Sequence, residues 1–158
     1  MGLLALSLVA VARGASAEWT ARAERTGTGT SVRCVLESER QTLSDGYQTT
    51  WAQIAIDDKA LRVTAGSVLD PGDRDVGLIV DDGAFVVVDA VTGDRTAEFT
   101  SRYAALVNEF KRGLRVRVQL RFWPTWPKTG THSATFSLIG FTRAHARLAQ
   151  GGQAWVCD

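Results

Sequence analysis

Three arginines, Arg115, Arg117 and Arg121, recur at odd positions along the alternating segment Leu114-Arg115-Val116-Arg117-Val118-Gln119-Leu120-Arg121-Phe122. In an extended strand alternate side chains share one face, roughly 6–7 Å apart, so this period lines one solvent face with three guanidiniums. Guanidinium forks suit carboxylate, phosphate and sulfate groups, so one reading is an anionic envelope or host ligand, or an acidic protein. The other is a solvated face paired with acids of the neighbouring strand. Directly after it comes Trp123-Pro124-Thr125-Trp126-Pro127. Proline fixes its own φ and restricts the residue before it, so two Trp-Pro steps make a stiff loop. Rigid tryptophans lose little entropy on binding and recur at interface hot spots. Alternatively, the indoles fold back and cap an open end of the core. Arg115, Arg117, Arg121, Trp123 and Trp126 are the candidate binding residues.

Other residue types with chemical potential are poorly spaced for it. Asp70, Asp73, Asp75, Asp81 and Asp82 invite a calcium reading, but their spacing does not match an EF-hand loop and Arg74 intrudes. His132 and His145 have no Cys or carboxylate at ligand spacing, which leaves a zinc site or hydrolase triad without support. Ser133 and Ser137 lack a Gly-x-Ser-x-Gly elbow. Gly27 and Gly29 sit between strands and open no phosphate-cradling helix. The reading is a protein without catalysis, with no metal and no cofactor.

The two cysteines, Cys34 and Cys157, read as a structural disulfide. In the chain-entropy model a bridge closing so large a loop contributes on the order of 4–5 kcal/mol. A free nucleophilic thiol is the weaker alternative, since neither cysteine has an adjacent histidine and only Arg33 stands beside Cys34. An oxidising compartment agrees with the amino terminus. Residues 3–12 are an almost unbroken apolar run, and Ala15-Ser16-Ala17 then supplies the small residues of a cleavage site before Glu18. The run is too short to span a bilayer, which takes about twenty residues. Residues 1–17 are therefore expected to be a signal peptide and residues 18–158 one domain, periplasmic or secreted and not integral to a membrane.

A length of 158 residues suits one core, and 45% hydrophobic content with a net charge of +1 excludes the disordered class. So balanced a charge gives no electrostatic bias toward nucleic acid. Period-two alternation dominates the chain. It predicts strands over 31–38, 48–56, 60–65, 76–80, 84–88, 96–99, 114–122 and 133–139, with a weaker one over 19–24. Asp45-Gly46 and Asp57-Asp58-Lys59 mark reversals between strands. Tyr103, Leu106, Val107 and Phe110 recur at helical spacing, with Thr100 or Ser101 as cap and Gly113 as stop. A second helix is expected over 143–148, capped by Thr142 and ended by Gly151-Gly152. The fold class is mostly β, an antiparallel β-sandwich or partly open barrel with one or two short helices.

Several segments, taken in order, resemble the invasion-associated locus B family of exported bacterial proteins. They are Trp19 followed by Cys34-Val35-Leu36; Val76-Gly77-Leu78-Ile79-Val80-Asp81-Asp82-Gly83; Leu106 through Phe110-Lys111-Arg112-Gly113 to Leu114-Arg115-Val116; and Phe136-Ser137-Leu138-Ile139-Gly140-Phe141-Thr142-Arg143-Ala144. The family pattern has a cysteine four residues after the opening tryptophan, where this chain has Ala23. It also has a close cysteine pair before the helix, where residues 89–97 carry none. Cys157, past the usual ending, would replace the lost partner of Cys34. The resemblance implies an exported, β-rich envelope or host-interaction protein and transfers no catalytic residue. A secreted inhibitor that presents the Trp-Pro loop to another enzyme is the alternative.

Overall fold

The computed structural model describes residues 19–25, 32–70, 72 and 74–148. The expected signal peptide, the turn at 26–29, Asp73, Gly151-Gly152 and Cys157 lie outside the described residues. Among the described residues the chain runs β1 (Thr20–Arg25), β2 (Val32–Glu37), β3 (Gln41–Ser44), β4 (Thr49–Ile56), β5 (Leu61–Ala65), β6 (Gly77–Val80), β7 (Val86–Val87), β8 (Ala90–Thr92), β9 (Thr96–Phe99), α1 (Tyr103–Arg112), β10 (Arg115–Leu120), β11 (His132–Ser137) and α2 (Phe141–Leu148). These strands form two antiparallel sheets. The larger has the order β1-β2-β4-β5-β9-β8, with β3 also on β4, and the smaller has the order β11-β10-β6-β7. Neither closes into a barrel among the described residues, and their inner faces share one hydrophobic core. The fold is a β-sandwich with two short helices.

Strand alternation explains the core. On β4, Thr50, Ala52, Ile54 and Ile56 are buried while Trp51, Gln53 and Ala55 face outward. β10 repeats the pattern in the smaller sheet, with Val116, Val118 and Leu120 inward. The long hydrophobic side chains interdigitate between layers, and each buried Leu, Ile or Phe contributes about 1.5–3 kcal/mol. At one margin Trp19, Phe110 and Phe141 meet edge to face, with centroids 4.9 to 6.3 Å apart. The Trp19 indole N–H donates to the Ser137 carbonyl at 3.1 Å.

Two features were not visible in the alternation. β2 and β3 lie along the same edge of β4, but Glu37 pairs with Ala55 and Gln41 with Ala52, so one extra residue is inserted between them. The Ser38 hydroxyl accepts the Ile54 N–H there at 3.0 Å, filling the ladder position lost at the bulge. The β4–β5 reversal is likewise built on a side chain. Asp57 Oδ1 accepts the N–H groups of Lys59 and Ala60, both at 2.9 Å. Its Oδ2 meets Arg33 at 2.9 Å and Arg62 at 2.6 Å. Burial pushes the Asp57 carboxyl up, but the Arg62 hydrogen bond and the two backbone donors outweigh it, and the net shift is downward.

Both helices depart from expectation at their starts. α1 has no side-chain cap from Thr100 or Ser101. Asp89 caps the approach instead, its carboxylate accepting the N–H groups of Thr100 at 2.7 Å and Ser101 at 2.9 Å and the Ser101 hydroxyl at 2.6 Å. Gly113 ends the helix in extended backbone, φ −80°, rather than in a left-handed turn. Glycine is needed there for space, since a Cβ would stand 2.6 Å from Val80 Cγ1 and 3.0 Å from Leu138 Cδ1. α2 begins at Phe141, ahead of the expected residue 143, and Thr142 ties it to α1 by donating to the Lys111 carbonyl at 3.0 Å.

Candidate functional site

The expected row of three arginines does not exist as one face. Arg115 and Arg117 project outward from β10, as the period requires. The ladder to β11 ends at Leu120, and Phe122 bridges Leu69 instead. Leu120, Arg121 and Phe122 are consequently buried in succession, Arg121 with 0% exposure. The loop that follows Leu69 covers the outer face at this point. Asp70 N–H donates to the Arg121 carbonyl at 3.0 Å, and Asp75 Oδ1 stands 3.0 Å from Arg121 Nε. The guanidinium also stacks on the Trp126 ring, whose centroid is 4.4 Å from its central carbon. Arg121 is a buried ion-paired residue that holds two loops together, which corrects its placement on a solvent face.

Arg115 and Arg117 share a recess of about 260 Å³ with Asp81, Asp82 and Thr135. The Asp81 carboxylate accepts the N–H groups of Leu114 and Arg115, so it is committed to the backbone. Asp82 stands 3.9 Å from Arg115, and both side chains are open to solvent. An anion entering this recess meets two guanidiniums and two carboxylates, Asp81 and Asp82.

The Trp-Pro loop is held from below and open above. The Phe122 carbonyl accepts the N–H groups of Thr125 and Trp126, both at 3.0 Å, and the Thr125 hydroxyl at 2.8 Å. Both Trp-Pro peptide bonds are cis. Trp123 N–H donates to the Val68 carbonyl at 2.9 Å, fixing the loop to the larger sheet's connection. Of the two indoles, Trp126 is half-buried on Arg121, whereas Trp123 is 63% exposed. The structure thus divides the two readings of the loop: Trp126 folds back and Trp123 points away from the core.

A second aromatic, without prominence in the sequence, stands at the same end. The β3–β4 turn abuts the Trp-Pro loop so closely that a Cβ on Gly46 would lie 2.6 Å from the Thr129 side chain. Asp45 organises that turn, with Oδ1 accepting the Tyr47 and Gln48 N–H groups and Oδ2 accepting the Ser67 hydroxyl at 2.6 Å. Burial raises the Asp45 carboxyl, but these donors prevail and hold it at about 2. The turn leaves Tyr47 72% exposed. A lone tyrosine after Asp45-Gly46 has no periodic signal, and only the approach of the neighbouring Gly46 to Thr129 reveals its place.

The remaining polar residues have structural surroundings. His132 hydrogen-bonds Thr129 at 3.1 Å, and His145 is buried against Phe141. Ser137 Oγ accepts the Ile139 N–H, and Asp70 Oδ1 accepts the Gly72 N–H. Among the described residues no three His, Cys, Asp or Glu are grouped to hold a metal ion, and no helix is long and apolar enough to cross a membrane. Cys34 is buried and does not carry a free thiol. The residues that line the recess at Arg115 and Arg117 are Asp81, Asp82 and Thr135, so the exposed indole of Trp123 is not part of it. The chain matches no family model, no curated protein and no solved structure.

Proposed function

We propose that the chain is an exported, non-catalytic binding protein that captures a protein partner through the loop end of its sandwich, with Trp123 and Tyr47 as anchors. The observation that carries this reading is Trp123, an indole 63% exposed on a loop whose backbone is hydrogen-bonded at Phe122 and Val68. An exposed aromatic on a preorganised backbone loses little freedom when a partner closes over it. The segments that resemble the invasion-associated locus B family, with the apolar run and Ala15-Ser16-Ala17, support export to the envelope or beyond. The non-catalytic reading follows from the sequence, where Ser133 and Ser137 have no Gly-x-Ser-x-Gly elbow and no phosphate-cradling glycine loop opens a helix.

The test is capture of envelope and host-surface extracts by immobilised mature protein. Trp123→Ala should weaken capture at least about tenfold, and Tyr47→Ala should weaken it further, with thermal midpoints unchanged. Equal capture by the double variant overturns the reading. The rigid loop also favours a second reading, a secreted inhibitor whose loop enters another enzyme's cleft. That reading requires Trp123→Ala to abolish inhibition in a panel of hydrolases. Trp126 is unsuited to either test because it packs on Arg121.

A further inference from the structure

The outer face of the larger sheet carries a groove of about 410 Å³, within the size range of small-ligand sites. Its shape follows from side-chain length. Ala55, Thr64 and Thr96 lie in the middle rows of β4, β5 and β9 and form a low floor. Long charged side chains rise on either side, and Trp51 borders one end. We propose that this groove binds a neutral oligosaccharide, with one sugar ring stacked on Trp51 after Arg40 moves aside.

Charge argues against an anionic ligand here. Arg22 meets Glu37 at 2.6 Å, Arg33 meets Glu24 at 2.7 Å, and Arg62 bridges Glu98 at 2.7 Å and Asp57 at 2.6 Å. Carboxylates thus offset nearly every guanidinium, leaving little net field. What survives pairing is a surface where acceptors and donors alternate at short intervals. Each sugar hydroxyl both donates and accepts, so a polyol satisfies such a surface where a simple anion satisfies only half of it. Stability does not explain the arrangement fully: the Asp57–Arg62 pair is buried and holds a reversal, but the more open Arg22–Glu37 and Arg33–Glu24 pairs contribute little and need no recess.

Trp51 supplies the second requirement, an aromatic face for the apolar C–H side of a pyranose. Arg40 now covers that ring, its guanidinium carbon 4.0 Å from the centroid. The cover is loosely held: Arg40 is exposed, and its hydrogen bond to Gln53 is 3.5 Å long. An exposed cation–π contact is weak, and a sugar ring stacked on the same face offsets its loss.

The experiment is calorimetric titration of the mature protein with cellohexaose, maltohexaose and chitohexaose, beside a heparin-derived hexasaccharide as polyanion. At least one neutral hexaose should bind, Arg40→Ala should tighten it severalfold, and Thr64→Leu, which raises the floor, should weaken it at least about tenfold. Trp51→Ala should abolish binding, and Thr64→Leu keeps the test decisive if that variant fails to fold. Trp123→Ala should leave sugar binding unchanged, which separates this site from the loop end. No heat with any neutral hexaose at millimolar concentration, binding by the polyanion only, or full binding by a folded Thr64→Leu protein overturns the proposal.

Discussion

The Arg121 guanidinium stacks on the Trp126 ring at 4.4 Å, with Asp75 Oδ1 3.0 Å from its Nε. A charge so enclosed makes Arg121 a determinant of stability. Arg121→Gln should destabilise the protein by about 3 kcal/mol, because it removes one member of a buried pair and the support beneath Trp126. Arg115→Gln with Arg117→Gln should stay within about 0.5 kcal/mol of the parent. Urea denaturation of the two variants checks the contrast, and equal midpoints would contradict the burial argument.

Alternation made much of this fold legible. β4, β5, β9 and β10 lie where their apolar residues recur, and the hydrophobic stripe of α1 was visible as Leu106, Val107 and Phe110. The reading failed where a long-range contact overrides the local period. Leu120-Arg121-Phe122 looks like continued alternation, yet Arg121 is buried too, because a loop overlies its outer face. β3 carries one buried residue, Leu43, in Gln41-Thr42-Leu43-Ser44, too little for a signal. Tyr47 and the Arg40–Trp51 stack have no periodic mark at all. A strand's own alternation reports its two faces; it cannot report which loop crosses them.

Asp57 ties the β4–β5 reversal to two arginines, and its loss should depend on pH. Asp57→Asn at neutral pH places an amide against Arg33 and Arg62 and should cost about 3 kcal/mol. Folding lowers this carboxyl below its ordinary 3.8. Its contribution is therefore present above that value and is lost as pH falls toward the folded value. Parent and variant should converge in stability on acidification below about pH 4, as followed by circular dichroism during urea titration. A constant gap down to the acid transition would show that the charge is immaterial.

Asp89 acts on α1 from outside the helix. Asp89→Ala removes acceptors for two backbone N–H groups and a hydroxyl, and should cost about 1–2 kcal/mol, the range of a helix cap. Hydrogen exchange should show the loss as faster opening of the first turn after Tyr103, while β10 amides keep their protection. Uniform loss of protection across the sheet would place the role of Asp89 elsewhere.

Cys34 lies on β2, opposite Ala23 of β1, in the core next to the larger sheet's edge. The expected link to Cys157 should appear as one disulfide-joined peptide pair in a non-reducing digest of exported protein. Reduction should lower stability by about 4 kcal/mol in the chain-entropy account. Two alkylatable thiols in natively harvested material would refute the bridge.

His145 gives a pH response of opposite origin to Asp57. Burial on α2 disfavours the charged imidazolium, and Lys111 adds like-charge repulsion, so folding lowers its pKa from 6.5. The unfolded chain then binds the proton more readily than the folded one, and stability falls as pH drops below 6.5 toward the folded value. This window opens at 6.5, whereas Asp57 and Asp45 begin to take up protons only near their ordinary 3.8, so the two effects set in at different pH. His145→Gln, which carries no titrating proton, should flatten the stability profile just below pH 6.5 while leaving the steeper acid limb unchanged. Thermal midpoints across that interval provide the measurement. An identical slope in parent and variant would mean that α2 accommodates the charged ring without cost.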